Sequence, residues 1–486
     1  MSRRPTPFFF WLFAVLLALA GSPVFAAKTL VRLEGLTPAQ MQEYHRQGYD
    51  IARYGKDFLE VVLEVAEVRA FTKRGLRVTP VIPDLDRYIA EVRAAETAEA
   101  KYYTYQTMYE TMQTWVEKYP KICRLESIGK TFENRDIWAL KISDHPQVDE
   151  KEPAVLIMGA HHAREWISTE VPMATAKALL EGYGQDERLT RLVNEREIWF
   201  VPMVNPDGMT YSQTVNRYWR KNRRKNADGS FGVDPNRNYG YKWGVAGAST
   251  SPSADTYQGP SPFSELETQA IRDLAAREKF SADISFHSYS ELILYPWSWT
   301  NKEKCEHDAI FAKFGKEMAA FNRYTSQQSS DLYPSGGDTD DYLYATHKSL
   351  SFTFELATTF IPTPDKIAPI CAQNVPAVLH LIEKAGTYGL VTPVGEDLIA
   401  DLDTPSAVAA LVDLTPFASQ NDVAARLRRL EVELARRLVA DQAAGRTATA
   451  EALAQLPSDH PMRRAIERDA AQMLAFATVH RDTARP

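Results

Sequence analysis

Residues 154–165 read AVLIMGAHHARE, and this stretch decides the fold of the central part of the chain. The five apolar residues 154–158 are typical of a buried strand, and Gly159 with the polar residues after it marks a turn. Two later runs have the same form, ADISF at 282–286 and LSFTF at 350–354. Because such runs alternate with amphipathic helical segments, the sequence predicts an α/β unit, a mixed but mostly parallel sheet with helices on both faces.

A polar residue capable of chemistry follows each of these three runs. His162 comes just beyond the first, His287 follows the second and Glu355 follows the third. Taken alone, His287 could have a hydrogen-bonded structural role and Glu355 a capping or ion-pairing role. Ligands of open α/β sheets, however, bind outside the carboxyl ends of the strands. We therefore expect the three side chains to meet at one rim of the sheet.

His162 and Glu165 lie three residues apart, so that both side chains can hold one metal ion. Zinc in hydrolases takes three protein ligands and keeps one position for water, and His287 would supply the third ligand. Glu355 would then be suited to activate that water. About one such His-x-x-Glu pair is expected by chance in a chain of this composition. A second pair does occur at 380–383, in an apolar helical segment with no strand before it, and we interpret it as unrelated to the site.

The composition limits the classes of protein to which this chain can belong. The chain has 486 residues, of which 44% are hydrophobic and 24% charged, as expected for two to four globular units. The net charge of −7 excludes a global basic field for nucleic acid or an anionic membrane. Cys123, Cys305 and Cys371 form at most one disulfide, and the sequence does not say which two thiols pair.

The first residues predict export. Arg3 and Arg4 precede the apolar residues 8–20, and small residues at 24 and 26 suit cleavage after Ala26. The alternative is a membrane anchor, but this run is shorter than the ~20 residues that span a bilayer. We expect a signal peptide at 1–26, a periplasmic or extracellular location, and no stable membrane insertion after cleavage.

Residues 27–100 predict a small α+β unit before the central one. Strands are expected at 30–33, 49–54, 59–65 and 76–82. One helix starts at the Thr37-Pro38 pair and another ends near Lys73, before Gly75. This β-α-β-β-α-β order is that of the ferredoxin-like split motif. The charged, Ala-rich residues 90–101 predict an exposed helical connector that a protease could cut.

The last part of the chain, residues 389–486, differs in kind. It is rich in Ala, Leu and Arg, and from residue 390 onward it has no Tyr, Trp, Lys or Cys. Apolar residues recur at helical spacing around 423–439 and 450–456, which predicts an all-α extension of two to four helices. No motif assigns it a role.

Five motifs carry a resemblance to a known family, in that family's order, over about residues 102–388. They are HAREWIS at 162–168, NRYWRK at 216–221, VDPNRN at 233–238, HSYS at 287–290 and FTFEL at 352–356. Together they resemble the zinc carboxypeptidases of the pancreatic carboxypeptidase A/B type. The resemblance implies a carboxypeptidase-like catalytic domain at 101–388 with one Zn²⁺. It also implies a secreted proenzyme, in which residues 27–100 are a propeptide that inhibits the same chain.

The resemblance further implies the residues that perform the reaction. His162, Glu165 and His287 match the zinc ligands, a set of the kind found in carboxypeptidase A. Glu355 matches the general base that acts on water. Arg220 matches the arginine that polarises the scissile carbonyl and holds the oxyanion.

Five other matched residues would bind the substrate. Asn236 and Arg237 match the pair that grips the terminal carboxylate, a task to which a guanidinium fork is suited. Arg164 and Tyr289 match subsite residues further along the peptide. Tyr333, followed by a flexible Gly pair, matches the mobile tyrosine that closes over the bound end.

The specificity segment contains several carboxylates. An Asp at the position of Asp340 selects C-terminal Lys or Arg in the family, and Ser298 also matches the basic-selective pattern. Asp338 departs from the pancreatic sequence by adding a second carboxylate nearby. We therefore expect a preference for Lys and Arg, with a mixed specificity as the alternative.

Two other functions remain open at this point. The same zinc site could act on cell-wall or γ-linked peptides or as an amide deacylase, and the fold could also serve as a catalytically inactive peptide-binding relative. The clamp formed by Asn236 and Arg237 favours an ordinary peptide C-terminus, and the complete set of ligands and base favours activity. The sequence thus predicts a monomeric, secreted zinc carboxypeptidase that acts on the C-termini of peptides or proteins.

Overall fold

The computed structural model describes residues 28–98, 100–150, 152–385, 404–417 and 421–483. The signal peptide expected at 1–26 lies outside the described residues. Within them, none of the helices combines the length and the apolar character that crossing a bilayer requires.

A small α+β unit, built on a four-stranded antiparallel sheet and here called the front sheet together with its two helices, begins the described chain. Its elements are β1 (Lys28–Glu34), α1 (Pro38–Arg46), β2 (Asp50–Tyr54), β3 (Phe58–Glu64), α2 (Val65–Lys73) and β4 (Arg77–Ile82). The strands lie in the order β2-β3-β1-β4. Elements therefore follow one another in the β-α-β-β-α-β order that the sequence predicts.

Local chemistry explains where the first helix begins. Thr37 caps α1 in a capping box with Gln40, and Pro38 occupies the first turn, where a missing N–H costs no hydrogen bond. Alternate residues of β1 and β3 pack with Met41 and Phe71 of the two helices in one small core. The helix α3 (Leu85–Ala94) follows, and its apolar face packs into the core of the central unit instead. The helical connector predicted at 90–101 therefore ends at Ala94.

The central unit is built on an eight-stranded sheet. Its strands are β5 (Cys123–Lys130), β6 (Asp136–Ile142), β7 (Ala154–Gly159), β8 (Glu197–Val201), β9 (Ala282–Ser288), β10 (Leu292–Tyr295), β11 (Thr325–Gln328) and β12 (Leu350–Leu356). Its helices are α4 (Tyr105–Lys118), α5 (Ile167–Gly182), α6 (Glu187–Asn194), α7 (Pro206–Thr214), α8 (Leu266–Glu278), α9 (Asp308–Asn322), α10 (Thr339–His347) and α11 (Ile367–Lys384).

The strand order of this sheet is β11-β10-β12-β9-β7-β8-β6-β5. The four central strands β12, β9, β7 and β8 run parallel to one another. β6 pairs antiparallel with both β8 and β5, and β10 pairs antiparallel with β12. Val155 and Ile157 of β7 face one core, while Leu156 and Met158 face the other. Helices cover both faces, which explains why this strand is apolar at every position.

The two later strands are longer than the sequence predicts. β9 and β12 continue to Ser288 and Leu356, so His287 and Glu355 lie inside strands and not after them. Both strands keep their pairing through these polar residues, and Glu355 is the register partner of His287. Polar side chains are tolerated there because the strand ends open onto the rim of the sheet.

Four helices lie in the described part of the C-terminal extension. They are α12 (Thr404–Leu414), α13 (Asn421–Ala443), α14 (Ala448–Leu453) and α15 (Pro461–Thr483). Leu411, Leu430, Leu434 and Ile466 belong to the same apolar cluster as the central unit, which joins the extension to the core. Cys123, Cys305 and Cys371 are free thiols.

Candidate active site

Three side chains converge at the carboxyl edge of the central sheet. Nδ1 of His162 lies 2.8 Å from Oε1 of Glu165, and Nδ1 of His287 lies 3.0 Å from Oε2 of the same carboxylate. The two imidazole Nδ1 atoms are 3.0 Å apart. All three residues are buried. His162 and His287, which the sequence predicts at one rim, thus lie against the same carboxylate.

The donor set fits a zinc ion. One nitrogen from each imidazole and one oxygen of the Glu165 carboxylate lie within 4.8 Å of one another, and this is the donor set that catalytic zinc takes. Burial alone would raise the pKa of Glu165, but His162 and His287 hold the pKa of this carboxyl below its ordinary value. Burial lowers the pKa of His287, which favours the neutral ring that binds a metal.

Local backbone geometry brings the His162 loop against the sheet. A Cβ placed on Gly159, the last residue of β7, would lie 2.1 Å from the carbonyl oxygen of Ser168. Only glycine lets the turn into α5 approach this closely. The close turn places His162 and Glu165 over the end of β9.

Asp234 contacts both His162, a candidate metal ligand, and the cationic side chain of Arg220. Its Oδ1 lies 3.1 Å from Nε2 of His162, and its Oδ2 accepts hydrogen bonds from Nε and Nη2 of Arg220 at 3.0 and 2.8 Å. Burial alone would raise the pKa of Asp234, but Arg220 and His162 hold it well below its ordinary value. Such a carboxylate behind a ligating histidine orients the ring. Arg220 Nη1 lies 3.9 Å from Glu165 Oε1, so the cation faces the cluster.

Glu355 lies beside the cluster on the neighbouring strand, in register with His287. Burial, followed by the negative charge of Glu165, raises the pKa of Glu355 well above its ordinary value, and Arg220 and Arg237 act in the opposite direction. A carboxyl group whose pKa is raised in this way is suited to take up and release a proton during the reaction.

The predicted carboxylate clamp is placed by a 3₁₀ turn at Pro235–Arg237. Asn236 Oδ1 accepts hydrogen bonds from the backbone N–H of Thr339 at 3.0 Å and from its hydroxyl at 2.8 Å. Arg237 donates from Nε to the carbonyl of Gly247 at 2.9 Å. The Arg237 guanidinium lies 5.8 Å from the ring centre of Tyr333, so three predicted substrate residues are neighbours.

The predicted specificity residues form a buried acidic group. Ser298 Oγ donates to Asp340 at 3.1 Å, and the backbone N–H of Ser298 donates to Asp341 at 2.8 Å. Asp338 caps α10 and accepts from Ser335 Oγ at 2.7 Å. Burial, together with mutual repulsion, raises the pKa of Asp340 and Asp341 well above the ordinary value.

The front sheet covers two further predicted subsite residues. Both guanidinium arms of Arg164 donate to the carboxylate of Asp50 in β2, one of them at 2.6 Å. The Tyr289 hydroxyl donates to Glu60 of β3 at 2.6 Å.

The front sheet also reaches Tyr333. The ring centre of Tyr333 lies 4.7 Å from that of Tyr54 and 5.4 Å from that of His45. Nδ1 of His45 is hydrogen-bonded to the Tyr54 hydroxyl. A Cβ on Gly247, which has φ +59°, would lie 2.2 Å from the Pro334 carbonyl oxygen and 3.1 Å from His45 Nε2. Glycine at 247 therefore permits the close approach of the Pro334 backbone, and a side chain there would also crowd His45.

The second His-x-x-Glu pair has separate partners. His380 Nε2 lies 2.9 Å from Glu317, and Glu383 pairs with Arg188 and Arg191. These contacts confirm that the 380–383 pair is not part of the site.

Sequence reasoning missed three polar residues that hold the site together. Asp234 lies inside the VDPNRN motif, Thr339 stands between Asp338 and Asp340, and His161 precedes His162. None of the three has a role in the sequence-based interpretation. His161 is fully buried between the sheet and the clamp, and burial lowers its pKa well below the ordinary value. The one available signal is that each is a neighbour of a predicted site residue in the sequence.

A two-histidine, one-carboxylate cluster at the carboxyl edge of a mixed sheet, flanked by a glutamate and an arginine, defines the class of metal-dependent hydrolases. Comparison with known proteins narrows the class. A model of the zinc carboxypeptidase family matches residues 108–377, which is more than half of the chain. This chain belongs to the zinc carboxypeptidase family, and it is a metallocarboxypeptidase that uses Zn²⁺.

Individual relatives agree with this placement. A zinc carboxypeptidase from Saccharothrix mutabilis subsp. capreolus is 33% identical over 388 residues, which are 72% of this chain and 87% of the relative. Carboxypeptidase A1 from Rattus norvegicus is 31% identical over 404 residues, 75% of this chain and 96% of the relative. The solved structure of carboxypeptidase A from Helicoverpa armigera has the same fold, with a TM-score of 0.68 at 22% identity over 74% of this chain and 98% of that chain.

Proposed function

We propose that this protein is an exported, self-masked carboxypeptidase that releases single residues, preferentially Lys and Arg, from peptide C-termini. The observation that carries the proposal is the position of the Asn236–Arg237 turn beside the cluster of His162, Glu165 and His287. A terminal carboxylate held at the turn would place the last peptide bond toward the cluster.

His162, Glu165 and His287 would hold the zinc ion, which supplies Lewis-acid polarisation of the peptide carbonyl and acidifies a water molecule. Glu355 takes the proton from the attacking water and later returns it to the leaving amine. Arg220, fixed by Asp234, presents its guanidinium to the negative charge that develops on the carbonyl oxygen. Because Asp234 already fixes this cation, the chain does not have to reorganise it during the reaction.

The peptide is bound on both sides of the scissile bond. Arg237 and the amide of Asn236 donate to the carboxylate, and Tyr333 closes over it. Arg164 and Tyr289 contact the peptide on the other side of the scissile bond. A peptide without a free C-terminal carboxylate therefore offers no group for Asn236 and Arg237 to bind.

Preference for Lys and Arg comes from Asp340. This carboxyl is buried and accepts a hydrogen bond from Ser298, and Asp338 and Asp341 lie beside it. Three neighbouring carboxyls that repel one another are relieved by a cationic side chain of the substrate. An apolar side chain would leave that repulsion in place.

The front sheet masks the site until it is released. Asp50 and Glu60 occupy the polar groups of Arg164 and Tyr289, and His45 and Tyr54 pack on Tyr333. These groups would otherwise face the substrate, so the front sheet and a peptide compete for them. After α3, the exposed residues Ala95, Thr97, Ala98 and Lys101 give a protease access to the connector.

Export follows from the leader-like residues 1–26, and cleavage after Ala26 leaves a chain that begins at the front sheet. Every residue with a role in the proposed mechanism lies in this chain, so a monomer suffices for the reaction.

The test combines metal content with release rates from a panel of peptides that differ only in the last residue, measured on the chain after limited proteolysis of the connector. We expect one zinc per chain, faster release of Lys and Arg than of Phe and Leu, and no release from the matching C-terminal amides. Removal of zinc with a chelator should abolish release, and added zinc should restore it. Equal cleavage of the amides, or of internal bonds, would contradict the carboxylate clamp.

A further inference from the structure

His161 lies between the candidate zinc cluster and the carboxylate clamp and is hydrogen-bonded toward both. Its Nδ1 is 3.1 Å from Ser285 Oγ, which is itself 3.0 Å from Nε2 of His287. Its Nε2 is 3.2 Å from Oγ1 of Thr339, which donates to Asn236 at 2.8 Å. A continuous chain of hydrogen bonds therefore joins a metal ligand to the residue that would grip the substrate carboxylate.

Metal binding fixes the direction of the first half of this chain. Nδ1 of His287 faces the cluster, so a metal held there leaves the proton of the neutral ring on Nε2. Nε2–H then donates to Ser285 Oγ, and the single proton of the Ser285 hydroxyl is donated to Nδ1 of His161. The opposite direction would need a proton on Nδ1 of His287, where the metal is held.

The second half of the chain follows from the first. With Nδ1 as acceptor, His161 carries its proton on Nε2, which faces Thr339 Oγ1 at 3.2 Å and the Tyr239 hydroxyl at 2.9 Å. Thr339 Oγ1 can accept from this N–H while it donates its own proton to Asn236.

The amide of Asn236 is thereby oriented. The backbone N–H of Thr339 also donates to Asn236 at 3.0 Å, and since a backbone N–H is only a donor, the accepting atom is the amide oxygen. The NH₂ group of Asn236 is then the end left to donate to a ligand. A carboxylate, which only accepts, is the complementary partner.

We propose that His161 is a positioning residue that fixes two ends of the site at once: the tautomer of His287 toward zinc and the amide of Asn236 toward a peptide carboxylate. The inference deepens the proposed function and rests on it for the identity of the ligand at Asn236. His161 is fully buried, and a stacked arrangement with the His287 ring, at 5.6 Å between ring centres, holds it in place.

Two substitutions at His161 distinguish its contact toward His287 from its contact toward Asn236. In His161→Asn, the side-chain oxygen can take the place of Nδ1 and accept from Ser285, while the donor toward Thr339 is lost. In His161→Gln, the amide nitrogen can take the place of Nε2 and donate to Thr339, while the acceptor toward Ser285 is lost. His161→Leu removes both, and Thr175→Val, which deletes a buried hydroxyl bonded within α5, is the matched control.

The first readout is the zinc dissociation constant of the full metal-free chain, measured by competition with a chromophoric chelator. Loss of a polar group behind a metal ligand typically costs 10–100-fold in affinity. We expect His161→Leu, His161→Gln and Ser285→Ala to bind zinc about tenfold more weakly or worse. His161→Asn and Thr339→Val should keep the affinity of the Thr175→Val control.

The second readout is KM against kcat, measured with saturating zinc on the full chain after limited proteolysis of residues 95–101. His161→Leu, His161→Asn and Thr339→Val should raise KM for a free C-terminus about tenfold with kcat changed far less, and His161→Gln should retain the KM of the control. The proposal is overturned if all His161 variants match Thr175→Val in both readouts. It is also overturned if the Asn and Gln variants lose both properties equally, as a purely structural role would cause. A chain that binds zinc but releases no C-terminal residue would contradict the proposed function, while the zinc measurements would still decide the role of His161.

Discussion

Arg164 and Asp50, which are 114 residues apart in the sequence, form a buried bidentate ion pair between the central unit and the front sheet. Their side chains are 1% and 9% exposed. Burial alone would raise the pKa of Asp50, but Arg164 holds it below its ordinary value. Docking of the front sheet therefore depends on the Arg164 guanidinium, the same group that the proposed mechanism uses to bind the substrate.

Asp50→Asn is expected to unmask the uncut chain. Removing one partner of a buried ion pair leaves the other charge without compensation and typically costs 3–5 kcal/mol. In this protein Arg164 can regain water when the front sheet leaves, so the cost falls on the docked form. Peptide release by the uncut variant should exceed that of the uncut wild type by about tenfold or more. Asp57→Asn, at an exposed position of the front sheet, is the control and should remain masked.

Acidification is expected to release the front sheet through His45. Burial, with further contributions from Arg237 and Arg220, lowers the pKa of His45 to about 4, against 6.5 for a free side chain. The rings of Tyr54 and Tyr333 also face His45, and the Tyr54 hydroxyl is hydrogen-bonded to its Nδ1. Since the undocked form binds the proton more tightly, docking is stable above about pH 6.5 and weakens as the pH falls toward 4.

The measurement for His45 is the activity of the uncut chain divided by that of the cut chain at each pH. This ratio should rise between pH 6.5 and 4 in the wild type and stay flat in His45→Gln, which keeps a polar side chain but has no titrating group in this range. A ratio that rises equally in both proteins would assign the effect to another group.

Much of the fold could be predicted from local patterns in the sequence. The Thr37–Pro38 start of α1 and the alternation of β1 and β3 depend on neighbouring residues, so the elements of the front sheet follow directly. The convergence of His162, His287 and Glu355 follows from a general property of parallel sheets. The ends of β9 and β12 could not be predicted, because the pairing that extends them past His287 and Glu355 is a long-range contact.

Contacts between distant parts of the chain were beyond sequence reasoning. No motif marks Asp50 in the predicted strand at 49–54, and only the docked structure pairs it with Arg164. His161 reads as a neighbour of His162, and its role depends on Ser285 and Thr339, which lie 124 and 178 residues away. Such pairs carry no local periodicity, since their geometry comes from tertiary packing.

Glu355→Gln is expected to bind zinc normally but lose turnover. The amide has nearly the same shape, and the three candidate ligands are unchanged, while the proton acceptor is gone. General base catalysis contributes about 10²–10⁴-fold, so kcat should fall by at least about a hundredfold. Zinc content of the purified variant and kcat on one peptide test this, and a zinc-loaded variant with near-normal kcat would remove Glu355 from the role of base.

Asp340→Asn is expected to abolish the preference for C-terminal Lys and Arg. The substitution keeps a hydrogen-bond acceptor for Ser298 but removes a carboxyl from the buried group, so a cationic side chain loses its partner. We expect kcat/KM for Lys and Arg ends to fall about tenfold or more, with Phe and Leu ends within about threefold of the wild type. Because the pKa of Asp340 is raised, the wild-type preference should strengthen as the pH rises and this carboxyl ionises. Asp338→Asn is the matched variant, and if it alone removes the preference, Asp338 is the selecting residue and the assignment of Asp340 is wrong.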